Sequence, residues 1–174
     1  MSRAYRVTWV SAARTVTAKD TLSVELSLLG ILPDGEMQEL LQQELSRDGW
    51  SKSKKDGAME KKLGEVTARL SPDGKSVAAT VEARRELEAR GTSKGEAEKS
   101  LDAAESRAKS SLGAEAVAKL SQVEPELRQK LGEVVQRVYL EALKKKAASL
   151  GQIESIQQQS RPDGEYEVTI KIKA

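Results

Sequence analysis

Between residues 96 and 150 the apolar side chains recur every three or four positions, whereas on both sides of that stretch they alternate one by one. Ala97, Leu101, Ala104, Ala108 and Leu112 fall on one helical stripe, and Leu127, Leu131, Val134, Val138 and Ala142 continue in helical register. Period-two runs precede them at Tyr5-Val7-Trp9, Leu22-Val24-Leu26-Leu28, Val66-Ala68-Leu70 and Val77-Ala79-Val81-Ala83. One more follows at Tyr166-Val168-Ile170-Ile172. Alternation marks half-buried strands. The chain must therefore combine a sheet with a long helical segment inserted before its last strand, which is an α+β solution.

The punctuation between these runs refines the order. Lys19-Asp20 reads as a tight turn that folds the first two strands into a hairpin. Pro33-Asp34-Gly35 ends the second strand, and Asp34 is a candidate N-cap for a helix carrying Met37, Leu40, Leu41 and Leu45. Asp48-Gly49 stops that helix, and Trp50 is expected to fold back onto the core. Residues 51–58 read as a polar loop. Ser71-Pro72-Asp73-Gly74 is a turn joining the next two strands. Residues 91–95 break the chain, Gly113 is a joint, and Pro125 suits the first turn of a new helix, so two or three helices folded as a hairpin are expected. Residues 152–160 read as last helical turns or a linker, and Pro162-Asp163-Gly164 as a turn before the closing strand. The predicted order is β-β-α-β-β-α-α-β, an antiparallel sheet of about five strands. It forms a single domain over 1–174, with 96–160 as a helical insert or arm.

Composition narrows the chemistry. The 174 residues include no cysteine and no histidine. Disulfides, thiolate nucleophiles, the usual Cys/His zinc sites, histidine-ligated haem and every Ser-His or Cys-His arrangement are thereby removed. No Gly-rich phosphate loop or EF-hand spacing occurs, and no cofactor is expected. Lys plus Arg is 29 and Asp plus Glu is 27, so no strong field calls for nucleic acid or an anionic membrane. The longest apolar run is far short of the roughly 20 residues that span a bilayer. The first six residues lack the apolar region of a signal peptide, and the chain reads as cytoplasmic.

The remaining candidates are few. Ser-x-x-Lys occurs at Ser51/Lys54 and Ser106/Lys109 without the partner motifs of a serine-lysine enzyme. Glu96, Glu98, Asp102, Glu105, Glu124 and Glu126 are interleaved with lysine and arginine, as on a solvated helix. A catalytic role is expected for none of these, and the chain does not read as an enzyme. Lys52, Lys54, Lys55, Lys61 and Lys62 form a basic cluster that could touch phosphates, with Trp50 beside it. A second basic run, Lys144-Lys145-Lys146, lies five residues beyond Tyr139, which could as easily pack inward. The amphipathic helices are the most informative feature. Their stripe packs on the sheet or docks a partner, and Trp50, Leu127, Leu131, Val134 and Val138 are the candidate contacts.

Ser2–Val7, Leu26–Pro33 running into Met37–Leu45 and Asp48-Gly49-Trp50, the strands at 66–70 and 77–87, and Gly164–Ile172 together carry a family resemblance. The chain resembles a small accessory-domain family of bacterial FtsH ternary systems. Those gene neighbourhoods combine an FtsH-like AAA ATPase with MoxR-type ATPases, von Willebrand A domains and small accessory proteins. The resemblance covers roughly the first ninety residues and the last strand. It implies a non-catalytic component beside an ATPase, in defence or stress. The expected function is an adaptor or scaffold whose partner is an ATPase or von Willebrand A protein of the same system, or a second copy of the chain. The alternative is a nucleic-acid-binding accessory using the basic loop at 52–62. No membrane insertion is expected.

Overall fold

The structure, a computed structural model, describes residues 9–160 and 166–173. In chain order the elements are β1 (Val10–Glu25), α1 (Asp34–Arg47), β2 (Ser51–Lys52), β3 (Met59–Leu63), β4 (Val66–Leu70), β5 (Ser76–Gly91), α2 (Lys94–Leu150), β6 (Gln152–Ser160) and β7 (Tyr166–Lys173). The fold is α+β, as the periodicities predict. A five-stranded antiparallel sheet runs in the order β1-β5-β4-β3-β2, and β6 pairs with β7 in a separate two-stranded sheet. The chain gathers into two compact units. One contains the described residues up to Leu22, Lys62–Ala68 and Ala79–Glu124; the other contains Ser23–Lys61, Arg69–Ala78 and the described residues from Pro125 onward.

In the first unit the odd-numbered residues of β1 stay exposed, while Ala12, Val16, Ala18, Asp20 and Leu22 are buried or half-buried. Val16, Ala83 and Leu112 form its core cluster, with Ala18 and Leu87 packed against it. The helix contributes Ala97, Leu101, Ala108, Leu112, Ala116 and Leu120, all buried. Alanine at half of these positions lets a helix lie close to its neighbours. A capping box starts the helix: the Glu96 N–H donates to the Ser93 hydroxyl at 3.3 Å, and the Glu96 carboxylate accepts from the Thr92 N–H at 3.2 Å. The Thr92 hydroxyl, first among these contacts, holds the Glu96 carboxyl below its ordinary pKa. Gly91 is required just before it, because a Cβ there would stand 2.7 Å from the Ala97 nitrogen.

In the second unit α1 buries Met37, Leu40, Leu41 and Leu45, the spacing seen in the sequence. It ends in a Schellman motif. The Gly49 N–H donates to the Ser46 carbonyl at 3.1 Å and the Trp50 N–H to the Leu45 carbonyl at 3.0 Å, with Gly49 at φ +86. This backbone reversal puts Trp50 inside, 5% exposed, as expected. The turn at 71–74 closes through the Gly74 N–H on the Ser71 carbonyl at 3.0 Å, with Gly74 at φ +69.

Six local expectations are corrected. Lys19-Asp20 is not a turn but the middle of β1, a single 16-residue strand. Asp34 is the first helical residue rather than the cap, which falls on Pro33 with no side-chain cap bond. The expected helical hairpin is one helix of 57 residues that runs through Gly113 and Pro125. Residues 152–160 are neither helix nor linker but strand β6. The closing strand β7 therefore pairs with β6 instead of rejoining the main sheet. Residues 51–52 of the expected polar loop also form a short strand, β2, against β3. The turn read at 162–164 and the first strand's Tyr5 and Val7 lie outside the described residues, and Trp9 precedes β1, 64% exposed.

Candidate functional site

The chemistry-bearing side chains of the second unit converge on Glu44, whose side chain is 2% exposed. Its spacing from Leu40, Leu41 and Leu45 turns it inward with the apolar stripe of α1. A buried carboxylate must be paired or neutralised. Here one oxygen accepts from the Arg47 guanidinium at 2.5 Å and the other from Arg137 Nε at 3.0 Å. Arg137 Nη2 lies 3.9 Å from Asp48 Oδ1, and Lys61 Nζ donates to Asp48 Oδ2 at 2.9 Å and to the Asp48 carbonyl at 2.6 Å. The result is an alternating chain of charges, Arg47-Glu44-Arg137-Asp48-Lys61, joining α1, α2 and β3. Each carboxylate faces two cations, an arrangement that ties the three elements together. No buried side-chain polar atom among the described residues lacks a partner.

Two residues beyond Arg137, Tyr139 forms a second lock. Its hydroxyl donates to the Ser27 carbonyl at 2.6 Å and accepts the Leu29 N–H at 3.2 Å. The segment after β1 is thereby pinned by its backbone, while the Leu29 side chain stays 63% exposed. Beside it lies an open cleft of about 680 Å³, lined by Leu26, Leu28, Leu29, Met37, Asp73 and Lys75 among others. Tyr139 thus packs inward, the second of the two placements weighed for it.

The candidate contacts from the sequence lie elsewhere. Leu127, Leu131, Val134 and Val138 are between 0% and 3% exposed, and Trp50 is 5% exposed, so all five are core of the second unit. Of the basic cluster, Lys52, Lys54, Lys55 and Lys62 are exposed, whereas Lys61 is bound to Asp48. With Trp50 buried, it is not presented as a stacking platform beside them. Asp56 sits in the same loop, where the Ala58 N–H, then Arg69, hold its carboxyl below its ordinary pKa. In the second Ser-x-x-Lys pattern the serine and the lysine turn to different partners. The Ser106 hydroxyl donates to the Asp102 carbonyl at 3.2 Å, and Lys109 pairs with Glu105 at 2.7 Å.

The acidic residues of the first unit hold the sheet to the helix. Arg14 on β1 binds Asp102 at 2.9 Å and also Glu105. Lys109 and then Arg14 lower the Glu105 pKa, and Glu105 and then Asp102 raise that of Arg14. Lys119 pairs with Glu115 at 2.8 Å and with Glu65, which raises its pKa in that order. Sequence reasoning missed Glu44 and the hydrogen-bond partners of Tyr139. A glutamate inside the Leu40-Leu41-Leu45 stripe was the available signal for the first. The second had none, since a tyrosine at that helical position serves equally well as packing.

An α+β domain whose inward charges are mutually paired is the class that these features define. The chain belongs to the FtsH ternary system domain X5 family, whose description matches residues 1–174. No curated protein and no solved structure matches it. The expectation of an accessory-domain family of FtsH ternary systems is thus met, and over the whole chain rather than its first ninety residues and last strand. No helix among the described residues is long and apolar enough to cross a membrane.

Proposed function

We propose that the protein is a non-catalytic adaptor of its FtsH ternary system, acting by protein–protein contact with another component of that system, an ATPase or a von Willebrand A protein. Membership in a family named for a multi-component system supports an accessory role. The observation that carries the contact reading is the pinned segment at Ser27–Leu29. A backbone held by Tyr139 presents an exposed leucine beside an open cleft. A preordered apolar side chain loses little entropy on docking, which is how a small anchor contributes to affinity. The paired charges around Glu44 tie α1 to α2, the helix that carries Tyr139. Leu29→Asp tests the reading. The substitution is at the surface, so circular dichroism should be unchanged, while co-elution of the full-length protein with components of its system should fall about tenfold or more. Undiminished co-elution would remove Leu29 from the contact, and a catch lost on nuclease treatment would favour the basic loop at 52–62 instead.

A further inference from the structure

β1 bonds to β5 along one edge, and among the described residues no strand lies along its other edge. A 16-residue edge without proline or glycine is a template for a further strand. Natural proteins usually blunt such an edge with charges, and β1 carries two at even-numbered positions, the exposed Arg14, which pairs with Asp102 and Glu105 of α2, and the half-buried Asp20. Their signs are opposite, and they stand equally far from Thr17.

We infer that β1 pairs antiparallel with the β1 of a second copy of the chain, about a twofold axis at Thr17. In that register Arg14 meets Asp20 of the second copy, Val16 meets Ala18 and Ala12 meets Leu22, each twice by symmetry. On the exposed face Thr17 meets itself, Thr15 meets Lys19 and Ala13 meets Thr21. Opposite charges and apolar pairs directly across a ladder each stabilise it, and like charges there destabilise it. Moving the centre to Val16 or Ala18 sets Arg14 and Asp20 against apolar residues, so the register is specified by the sequence of the edge itself. Arg14 keeps 42% of its side chain exposed while bound to Asp102 and Glu105, and a guanidinium has five N–H donors, enough for one more carboxylate. Every residue named in the pairing belongs to the first unit. The inference is independent of the partner proposed above.

The absence of native cysteine makes the test direct. Paired strands set opposed Cα atoms about 4.5–5.5 Å apart, within disulfide reach. Thr17 is exposed, so Thr17→Cys should fold normally and give a disulfide-linked dimer at least about tenfold faster than Thr21→Cys. Thr21→Cys should link only when mixed with Ala13→Cys. In sedimentation, Asp20→Arg should weaken self-association about tenfold with unchanged circular dichroism. Equal linking rates at positions 17 and 21, a self-association untouched by Asp20→Arg, or a monomer at all concentrations up to about 0.1 mM would each overturn the pairing.

Discussion

Arg137 on α2 reaches Glu44 on α1, its Nε 3.0 Å from a carboxylate oxygen that is nearly sealed from solvent. Removing the arginine leaves that carboxylate with Arg47 alone. Arg137→Ala is expected to cost about 1–3 kcal/mol in urea denaturation, below the full penalty for a broken buried pair because Arg137 is itself 40% exposed. Glu44→Gln should cost less than Arg137→Ala, since it removes the charge but keeps the shape. An Arg137→Ala protein as stable as the parent would show that Arg47 suffices.

Two glycines stand where backbone passes too close for any side chain. A Cβ on Gly91 would lie 2.7 Å from the Ala97 nitrogen, and one on Gly151 would lie 2.5 Å from the Lys173 carbonyl oxygen. Neither obstacle is a flexible side-chain end. Gly91→Ala and Gly151→Ala should each destabilise by about 1–3 kcal/mol, whereas Gly113→Ala, with nothing within 4 Å, should be neutral or stabilising. Thermal melts of the three variants would separate them.

Pro125 lies inside α2 and lacks the N–H that would bond to the carbonyl four residues back. Pro125→Ala should restore that bond and raise stability, by up to about 3 kcal/mol. A lower denaturation midpoint would show that the proline's conformation is itself needed there.

The titration behaviour follows from the exposed pairs. Asp56, Asp73, Glu96, Glu105 and Glu115 all have pKa values lowered in the folded chain, from ordinary values of 3.8 for Asp and 4.5 for Glu. A lowered carboxyl pKa contributes stability that is present above the ordinary value and is lost as pH falls through the folded one. Stability should therefore be level near neutrality and decline once pH drops below about 4.5. Lys119 acts in the opposite direction: its raised pKa contributes below its ordinary 10.5, and that contribution disappears only at more alkaline pH. With no histidine in the chain, no side-chain step is expected between pH 6 and 8 in a denaturation series.

Three elements were legible because their patterns were uninterrupted: α1, the β4–β5 hairpin and β7. The misreadings have local causes. In β1 the odd-numbered residues stay exposed on both sides of Lys19-Asp20, and a phase that never changes argues for one strand whatever the dipeptide suggests. In α2 the buried positions repeat every eleven residues, as in Leu101-Leu112, Leu120-Leu131-Ala142 and Ala116-Leu127-Val138. Eleven residues make three turns of 3.67, close to the natural 3.6, so the same stripe continues past a glycine and a proline. In β6 a bulge between Ile153 and Ser155 sets Ile153 and Ile156 opposite Ile172 and Ile170. Their spacing of three hid a strand already obscured by glutamines. The interior of the candidate site was the least legible part, because Arg137 and Tyr139 act on partners about a hundred positions away that only the fold brings near.

All five strands of the main sheet precede α2 in the chain, the last of them ending at Gly91. During synthesis the strands therefore leave the ribosome before the 57-residue helix that supplies Leu112 to the core at Val16 and Ala83. At about 5–20 residues per second, that helix takes roughly 3–11 s to be made. For those seconds the nascent chain carries strands whose apolar side awaits its cover, which makes the interval after completion of residue 91 the one most open to misassociation.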